Sequence, residues 1–439
     1  MKLEELKKLL LEAGVVGAGG AGFPSYAKLS EKAHTVIVNC SECEPLLKLH
    51  RQVLEEYAGE IVSALSEILK ATGAKRGIIA AKEHYESALR AVDAELQGRE
   101  GISVHKLRSV YPAGDELILI KEVTGITVAP GELPISAGVT VLNAETVYNV
   151  YRAMKGHPVT DKFVTVAGEV RSPVTLKVPI GTEISKLITA AGGLLRDDCV
   201  FIAGGPMMGK LVSIRDTVTK TTNAVIALPK EHPVVLNKNR NPKVNLRRTM
   251  SVCCQCRSCT DNCSRHVLGY PVEPHAVMRV FSNGGRGNIY KLAGALFCSG
   301  CGLCEAYSCP QGLSPRAMIA ELKSTAKANG FAPPKGIMPE EVRDSEYKKV
   351  SVERLTSRLG LKKYDLPAPL SGYVDSKSVK ILLSQHIGAP AVCAVKEGDT
   401  VKRGDVIALA KDGALSVNIH SSIDGKVAEI TEKYIKIVN

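Results

Sequence analysis

The first third of the chain alternates between helical and strand patterns. Apolar residues recur at helical spacing over 2–13, and short β-branched runs at 35–38 and 77–81 are followed by longer amphipathic segments. Further predicted elements are helices near 52–72, 84–97 and 114–124, and strands at 102–107 and 139–142. Because helices alternate with strands, residues 1–156 are expected to form an α/β domain with a largely parallel sheet.

The pattern changes near residue 157, where short alternating strands replace the longer segments. Strands at 163–167 and 174–178 precede a helix at 184–191, and this order predicts a small β-grasp module over 157–229. Residues 230–249 follow as a basic connector. They indicate either a solvated linker or a strip that compensates anionic groups or docks an acidic partner.

The C-terminal part of the chain has an all-β pattern. Residues 326–375 are mixed and linker-like, and short strands separated by glycines follow within 376–439. These strands are predicted at 380–383, 391–395, 406–410, 416–420 and 426–430. Val395–Asp405 resembles the turn of a barrel-sandwich hybrid, the fold of biotinyl and lipoyl carriers. Those carriers modify a hairpin lysine that the stretch 412–415 lacks, so a module without a swinging arm is expected.

Composition narrows the class of protein. A chain of 439 residues with 45% apolar content accommodates two to four domains, and it has no apolar run long enough to predict a transmembrane helix. The net charge of +12 raises nucleic-acid binding as a question. No RNP motif, helix-turn-helix or basic-aromatic stripe accompanies the charge, so nucleic acid is not an expected partner. Thirteen cysteines without a signal-peptide pattern suit metal binding better than disulfides.

Eight of the cysteines form two similar runs. Each run opens with C-x2-C-x2-C, and a fourth cysteine follows after three residues in the first run and after four in the second. The runs are Cys253, Cys256, Cys259 and Cys263, and then Cys298, Cys301, Cys304 and Cys309. Three thiolates on one tight loop can cap three irons of a 4Fe–4S cube. The runs therefore predict two 4Fe–4S clusters, and a disulfide framework and two zinc sites are the alternatives.

The paired runs resemble those of two-cluster ferredoxins, in which the fourth cysteine of a run binds the other cluster. The resemblance implies a ferredoxin-like helical domain over 250–325, with helices near 273–281 and 288–296. Under this crossed ligation, cluster one takes Cys253, Cys256, Cys259 and Cys309, and cluster two takes Cys298, Cys301, Cys304 and Cys263. Cys254 is a weaker substitute for Cys253, because only Cys253 keeps the spacing.

A glycine-rich loop follows the first predicted helix. Its glycines are Gly17, Gly19, Gly20 and Gly22. Without side chains, the backbone N–H groups of such a loop can close on a phosphate. No strand precedes the loop, so it is not the dinucleotide fingerprint of a βαβ unit. Lys28 follows at a distance suited to a phosphate or a ring, and the strand at 35–38 ends in an acid-bearing turn, where open α/β sheets bind ligands.

Four motifs together resemble a known family. Gly-x-Gly-Gly-x-Gly-Phe-Pro at 17–24 and Asn-x-x-Glu-x-Glu-Pro at 39–45 are similar to the flavin subunit of respiratory NADH dehydrogenase. Tyr-Pro-Ala-Gly-Asp-Glu at 111–116 and Asn-Ala-Glu-Thr at 143–146 extend the resemblance. It is closer still to the RnfC-type electron-transport proteins and to the cobalamin reductases of propanediol-utilisation microcompartments, and it covers nearly the whole chain.

The resemblance implies a multidomain α/β fold. Its parts are an α/β domain that binds FMN and NADH, a soluble-ligand-binding β-grasp (SLBB) module, a two-cluster ferredoxin-like helical domain and a C-terminal all-β barrel-sandwich hybrid. The glycine loop and Lys28 would contact the flavin phosphate. Asn39 would face the isoalloxazine or the nicotinamide together with Glu42 and Glu44, which are the expected catalytic residues. The remaining expected contacts are Asp115, Glu116, Asn143 and Glu145.

The implied activity is that of an NADH-dependent cobalamin reductase, in which electrons pass through FMN and two 4Fe–4S clusters to a corrinoid. The alternatives are an RnfC-type protein that moves electrons between NADH and ferredoxin, and a non-catalytic iron–sulfur scaffold or accessory protein. Besides NADH and cobalamin, the implied partners are a corrinoid-handling, adenosyltransferase-like enzyme and microcompartment shell proteins. The implied location is the cytoplasm, with the interior of a bacterial microcompartment as a special case.

Overall fold

A computed structural model describes residues 1–284 and 292–439 of the chain. Its first sheet consists of four parallel strands. Their order across the sheet is Ile102–Leu107, Arg76–Lys82, Thr35–Asn39 and Val139–Asn143. Val36, Ile37 and Val38 are buried in succession, as expected for a parallel strand that is covered on both faces. All four strands end at one edge of the sheet, which places the turns that follow them side by side.

Helices cover this sheet. They are Leu3–Glu12, Leu49–Glu56, Ala58–Thr72, Glu86–Glu95, Glu116–Thr124 and Ala144–Met154, with 3-10 turns at Ser25–Lys28 and Pro134–Ala137. The side chains of Asp115 and Asn143 cap the last two helices by accepting backbone N–H groups of the first turn. Within the described residues, no helix is long and apolar enough to cross a membrane.

The prediction of a single helix near 52–72 is wrong, because the chain forms two helices there. Tyr57 has φ −123° and ψ 35°, which is not helical. Its ring packs against the ring of Tyr148, with centroids 4.4 Å apart, and it also contacts Phe163. Packing of one aromatic side chain therefore interrupts a pattern that is helical by its spacing.

Six strands form the second sheet. Their order is Leu370–Tyr373, Val174–Pro179, Asp161–Gly168, Ala224–Pro229, Cys199–Ala203 and Lys210–Val212, and the helix Ile184–Ala190 packs beside them. The sequence pattern did not predict the strand Ala224–Pro229. This strand is apolar and buried throughout, so it shows no alternation.

Both predicted connectors contain regular structure. Residues 230–249 hold the helix Pro233–Lys238 and most of the helix Pro242–Val252. In residues 326–375, described as linker-like above, the strand Val350–Ser351 pairs with Val110–Tyr111 and is followed by the helix Val352–Arg358. A 3-10 turn at Ser345–Lys348 precedes this strand, and another at Lys362–Tyr364 follows the helix. The linker description is wrong here, because a few fully buried apolar side chains hold the segment on the neighbouring domains.

Short helices form the cysteine-rich part. They are Ser258–Asp261, Ser264–Val267, Pro274–Ser282, Leu303–Ala306 and Pro315–Ala328, with a 3-10 turn at Gly294–Phe297. The helix predicted near 273–281 agrees with Pro274–Ser282. The one predicted near 288–296 lies partly outside the described residues, and its described end includes the 3-10 turn.

Two small antiparallel sheets form the C-terminal module. One contains Ser378–Leu382, Tyr434–Val438, Gly425–Ile430 and Thr400–Val401, in that order, and the other contains Val392–Cys393, Val406–Leu409 and Ile419–His420. Their apolar side chains share one core, which includes Ile381, Ile407 and Ile435. The all-β prediction for this region is confirmed.

Candidate flavin and iron–sulfur sites

The glycine loop lies over the carboxyl edge of the parallel sheet. The N–H of Ala18 donates to Oγ1 of Thr146 at 2.9 Å, which fixes the loop to the helix that follows the last strand. Gly20 has φ +62°, and a side chain there would point into open space. A side chain at Gly19 would instead collide with the amide of Asn223. Glycine is therefore required at one position for its left-handed backbone and at the other for close packing.

The acid-bearing turn after the first strand is held by Asn39. Its Nδ2 donates to the carbonyl of Gly114 at 2.9 Å, and its Oδ1 accepts the N–H of Ser41 at 3.0 Å. Glu42 is buried beside it, and its Oε2 accepts the N–H of His50 at 3.0 Å. The turn therefore presents Glu42 at the same edge as the glycine loop.

Several buried polar atoms at this edge fit a polar ligand. Oε1 of Glu42, Nδ1 of His50, Oγ of Ser41 and Oδ1 of Asn223 have no hydrogen-bond partner among the described residues. Buried polar groups are normally paired. The backbone N–H groups of the glycine loop suit a phosphate, which only accepts hydrogen bonds, and the unpaired carboxylate oxygen of Glu42 suits a hydroxyl or ring N–H donor of the flavin. The residues present therefore fit FMN.

Two residues that the sequence analysis did not assign to the site also lie there. Nε2 of the buried His50 is 3.2 Å from Nδ2 of Asn143. Lys82 is 3% exposed and ends the neighbouring strand, and burial lowers its pKa while Cys43 and Glu42 partly oppose that shift. The sequence could have indicated Lys82 as a site residue, because it is the last residue of a buried strand. Nothing in the sequence distinguished His50.

Lys28 and Glu116, two predicted contacts, are brought together as an ion pair. Nζ of Lys28 lies 2.7 Å from Oε1 of Glu116 and also donates to the carbonyl of Val141 at 3.1 Å. This amine is therefore already compensated by a carboxylate. Its assignment to the flavin phosphate stays a prediction that these contacts do not favour.

Glu44 and Glu145 are bound by other parts of the chain. Both oxygens of Glu44 accept backbone N–H groups, from Met207 at 2.8 Å and from Met208 at 2.8 Å. Glu145 is 1% exposed and is bonded to the equally buried Lys162. Their assignments to the flavin and nicotinamide stay predictions, and the structure gives both residues structural contacts instead.

The turn that Glu44 binds is a junction between three parts of the chain. Arg316 from the cysteine-rich part donates to the carbonyl of Met207 at 2.7 Å, and Lys238 donates to the carbonyl of Gly209 at 2.6 Å. A side chain at Gly205 would overlap the carboxylate of Glu44. Burial raises the pKa of Glu44, and the two N–H groups, Lys238 and Arg316 oppose that rise.

Replacing Glu44 by alanine is expected to lower the free energy of unfolding by about 1–3 kcal/mol, because it leaves a buried N–H group without an acceptor. Glu44→Gln keeps one oxygen and is expected to lose less. Thermal denaturation and the KM for NADH are the two measurements. A KM raised more than about tenfold with an unchanged thermal midpoint would instead show that Glu44 contacts the nicotinamide, since a tenfold loss equals 1.4 kcal/mol of binding.

The eight thiols are grouped in the two sets that crossed ligation implies. All thirteen cysteines lie in the described residues as free thiols. One cavity is lined by Cys253, Cys256, Cys259 and Cys309. Burial raises the pKa of Cys259 to about 12, with a contribution from the other three thiols of this set. The second set surrounds the buried Cys304, whose pKa is raised by burial, by Glu305 and then by Cys301, Cys298 and Cys263.

The two cysteine loops repeat one backbone conformation. Gly300 and Gly302 have φ of 75° and 84°, and the equivalent Gln255 and Arg257 have φ of 53° and 66°. A left-handed backbone costs roughly 1–2 kcal/mol in residues other than glycine. Gln255 also donates to Sγ of Cys253 at 3.2 Å. The same shape in both loops, kept despite this cost in the first, indicates that each loop encloses the same kind of group.

Other side chains near the clusters have ordinary partners. His275 lines the cavity of cluster one, and its Nδ1 lies 2.8 Å from Oγ1 of Thr260. His266 is half-buried, and burial lowers its pKa. Cys254 is exposed at the rim of the same cavity. Cys253 remains the better candidate ligand, because it keeps the C-x2-C-x2-C spacing and its sulfur accepts a hydrogen bond from Gln255.

The second thiol set lies against the flavin domain. The hydroxyl of the buried Tyr111 donates to the carbonyl of Cys301 at 2.6 Å. Arg265, two residues after Cys263, donates to Oδ2 of Asp115 at 2.9 Å. Asp115, a predicted flavin contact, therefore bonds to the segment that follows Cys263 of the second thiol set.

Family models match four successive parts of the chain. They describe a Nuo51 FMN-binding domain at residues 10–152, an SLBB domain at 163–211, a 4Fe-4S dicluster domain at 252–314 and an RnfC barrel sandwich hybrid domain at 334–438. FMN and two 4Fe–4S clusters are therefore the cofactors of this protein. The predicted fold class is confirmed.

Relatives and a solved structure agree with these matches. The cobalamin reductase PduS of Citrobacter freundii is 41% identical over 99% of this chain and 96% of the relative. One component of a Na(+)-translocating ferredoxin:NAD(+) oxidoreductase complex from Acetobacterium woodii is 31% identical over 61% of this chain and 59% of the relative. An NAD+-reducing NiFe hydrogenase shares the fold, with a TM-score of 0.50 and 17% identity over 77% of this chain and 68% of that chain.

Identity at this level over nearly the full length of both chains settles the family, and the site geometry agrees with it. The glycine loop, the acid-bearing turn and the two thiol sets occur in one chain, and Tyr111 of the flavin domain bonds to Cys301 of the second set. The chain is a flavo-iron–sulfur electron-transfer oxidoreductase, and it belongs to the cobalamin reductase PduS family.

Proposed function

We propose that this protein takes electrons from NADH at the flavin site and delivers them to a corrinoid through cluster two and then cluster one. The observation that carries this proposal is the contact between the flavin domain and the second thiol set. Tyr111 and Asp115 belong to a flavin-domain motif, and both bond to residues at cluster two. The names of the relatives at 41% identity support a corrinoid as the acceptor.

The two thiol sets differ in their surroundings, which supports this order. Cys263, Cys301 and Cys304 are buried. Cys256 of cluster one is exposed. The second thiol set is therefore shielded at the domain boundary. The first thiol set has an exposed edge that an acceptor can approach.

Bound FMN supplies the conversion of a two-electron hydride donor into single electrons, and 4Fe–4S clusters supply one-electron carriers whose potentials reach about −700 mV. The chain's own residues set the geometry for this chemistry. Asn39 fixes the acid-bearing turn, and Glu42 presents the oxygen that has no partner among the described residues. Tyr111 and Asp115 hold the flavin domain against cluster two.

Hydrogen bonds to sulfur are a second contribution of the chain. The N–H of Gly300 donates to Sγ of Cys298 at 3.3 Å, and the N–H of Leu313 donates to Sγ of Cys309 at 3.3 Å. Such bonds are among the factors that set cluster potentials. Each set therefore has at least one thiolate whose negative charge is stabilised by the backbone.

The test is anaerobic and uses the reconstituted protein. We expect NADH to bleach the flavin absorbance and cob(III)alamin to be reduced only when NADH, flavin and both clusters are present. If NADH bleaches the flavin but only ferredoxin accepts the electrons, the protein functions like the Rnf-type relatives. If neither acceptor is reduced, the scaffold alternative replaces both. The expected association with a corrinoid-handling enzyme, with shell proteins and with a microcompartment belongs to this proposal and is tested by co-purification from cells that express the partners.

A further inference from the structure

A loop of the second module, which is the β-grasp module with the six-stranded sheet, lies along the glycine loop. The amide of Asn223 is at the position that a side chain on Gly19 would take, and the methyl of Thr221 is at the position for Gly22. The loop is Thr219–Asn223, and it joins two parts of the six-stranded sheet. The glycine loop is therefore closed by a segment about 200 residues further along the chain.

This loop also brings a buried amine to the start of the glycine loop. Lys220 is 2% exposed, and its Nζ donates to the carbonyls of Gly14 at 2.7 Å and of Asn418 at 3.1 Å. Among the described residues no carboxylate pairs with it. Burial and the charge of Lys220 lower the pKa values of His386 and His420. Burial also lowers the pKa of Lys220 itself to about 7.

A buried amine without a countercharge is unfavourable in its charged form. A phosphate bound at the adjacent glycine loop would supply that countercharge. Lys28, the lysine that the sequence suggested for this purpose, is already paired with Glu116. Nδ2 of Asn223 is the atom that a side chain on Gly19 would meet, so an N–H donor of this loop faces the glycine loop.

We infer that the Thr219–Asn223 loop is the second wall of the flavin phosphate site. Asn223 donates an amide N–H to the phosphate, and Lys220 supplies the positive charge. This assignment rests on the proposed function, because it takes the glycine loop as the FMN site. It extends that site beyond the flavin domain and explains why the second module is packed against the glycine loop.

The experiment compares FMN with riboflavin, which lacks the phosphate. Dissociation constants are measured by flavin fluorescence quenching on flavin-depleted full-length protein with reconstituted clusters. The variants are Asn223→Ala and Lys220→Met. Lys186→Met is the matched control, because Lys186 also belongs to the second module and bonds to the C-terminal module, at Ser376 and Ser378, away from the glycine loop.

We expect both variants to weaken FMN binding at least about tenfold while riboflavin binding changes less than about twofold, and the control to change neither. FMN binding within twofold of wild type in both variants would overturn the inference. Equal losses for FMN and riboflavin would also overturn it, since the loop would then support the site without contacting phosphate. If Lys220→Met does not fold, Asn223→Ala decides the question. Wild-type protein that binds neither flavin would refute the proposed function itself.

Discussion

Replacing Cys309 by serine is expected to remove cluster one and to leave cluster two intact. Cys309 lies at the end of the second run in sequence, yet it lines one cavity with Cys253, Cys256 and Cys259. Loss of one thiolate from a four-thiolate site destabilises the cluster that it binds. Iron content should therefore fall from about eight to about four per chain after anaerobic reconstitution.

The matched variant is Cys304→Ser, which should remove cluster two, and Cys254→Ser is the control that should remove neither. Electron paramagnetic resonance after dithionite reduction identifies the cluster that remains. A Cys309→Ser protein that loses the same signal as Cys304→Ser would show that each run binds its own cluster. Loss of iron in the Cys254→Ser protein would mean that Cys254 is the ligand in place of Cys253.

These variants also test the order of the clusters. With Cys309→Ser, NADH should still reduce cluster two, because the bonds of Tyr111 to Cys301 and of Asp115 to Arg265 are unchanged. Corrinoid reduction should fall to background. With Cys304→Ser, NADH should reduce only the flavin. If NADH reduces cluster one in the Cys304→Ser protein, the order proposed above is reversed.

The sequence identified chemistry that depends on neighbouring residues. Spacing alone predicted the two cysteine loops, because three thiols on one short turn must converge. The residues alone also indicated a phosphate loop and an acid-bearing turn, because each is a short local segment, whereas the role of Asn39 came from the family resemblance and stays a prediction. The alternation of strands and helices likewise predicted the first sheet correctly.

Contacts between segments that are distant along the chain could not be predicted from the sequence. Lys28 looked suited to a phosphate, but Glu116 reaches it from another helix. Glu44 belongs to a flavin-site motif, yet its oxygens are bound by a turn about 160 residues later. Lys220 and Asn223 carried no signal, because the pattern of a small β-grasp module does not show which loop meets the flavin domain. One chain cannot reveal which of its polar residues will be buried together.

Glu145 is another residue whose partner the sequence did not reveal, and its replacement is expected to cause a large loss of stability. The sequence placed it at the flavin, whereas the structure buries it with Lys162, and both side chains are 1% exposed. Its other oxygen accepts the N–H of Phe163 at 3.2 Å. Removing one member of a buried ion pair costs about 3–5 kcal/mol, because the remaining charge has no partner. Glu145→Gln is therefore expected to lower the free energy of unfolding by that amount.

The pH dependence of the loss distinguishes this explanation from a flavin contact. Burial lowers the pKa of Lys162, and Glu145 opposes that shift, so the pKa of Lys162 should fall further in the folded Glu145→Gln protein. The unfolded state then binds more protons, and the stability of the variant should rise as the pH increases towards the unfolded pKa of about 10.4. In thermal denaturation at pH 7 and pH 9.5, the difference between the midpoints of the variant and of wild type should be smaller at the higher pH.

Two further variants complete the test of Glu145. Glu67→Gln breaks the exposed pair with Lys70 in the same domain, and it should cost less than about 1 kcal/mol. The double variant Glu145→Gln, Lys162→Met should recover most of the loss, because no buried charge remains. Flavin content is measured on every variant. Lost flavin with an unchanged thermal midpoint in Glu145→Gln would return this residue to the flavin site, whereas a lowered midpoint with flavin retained establishes the buried pair as part of the domain core.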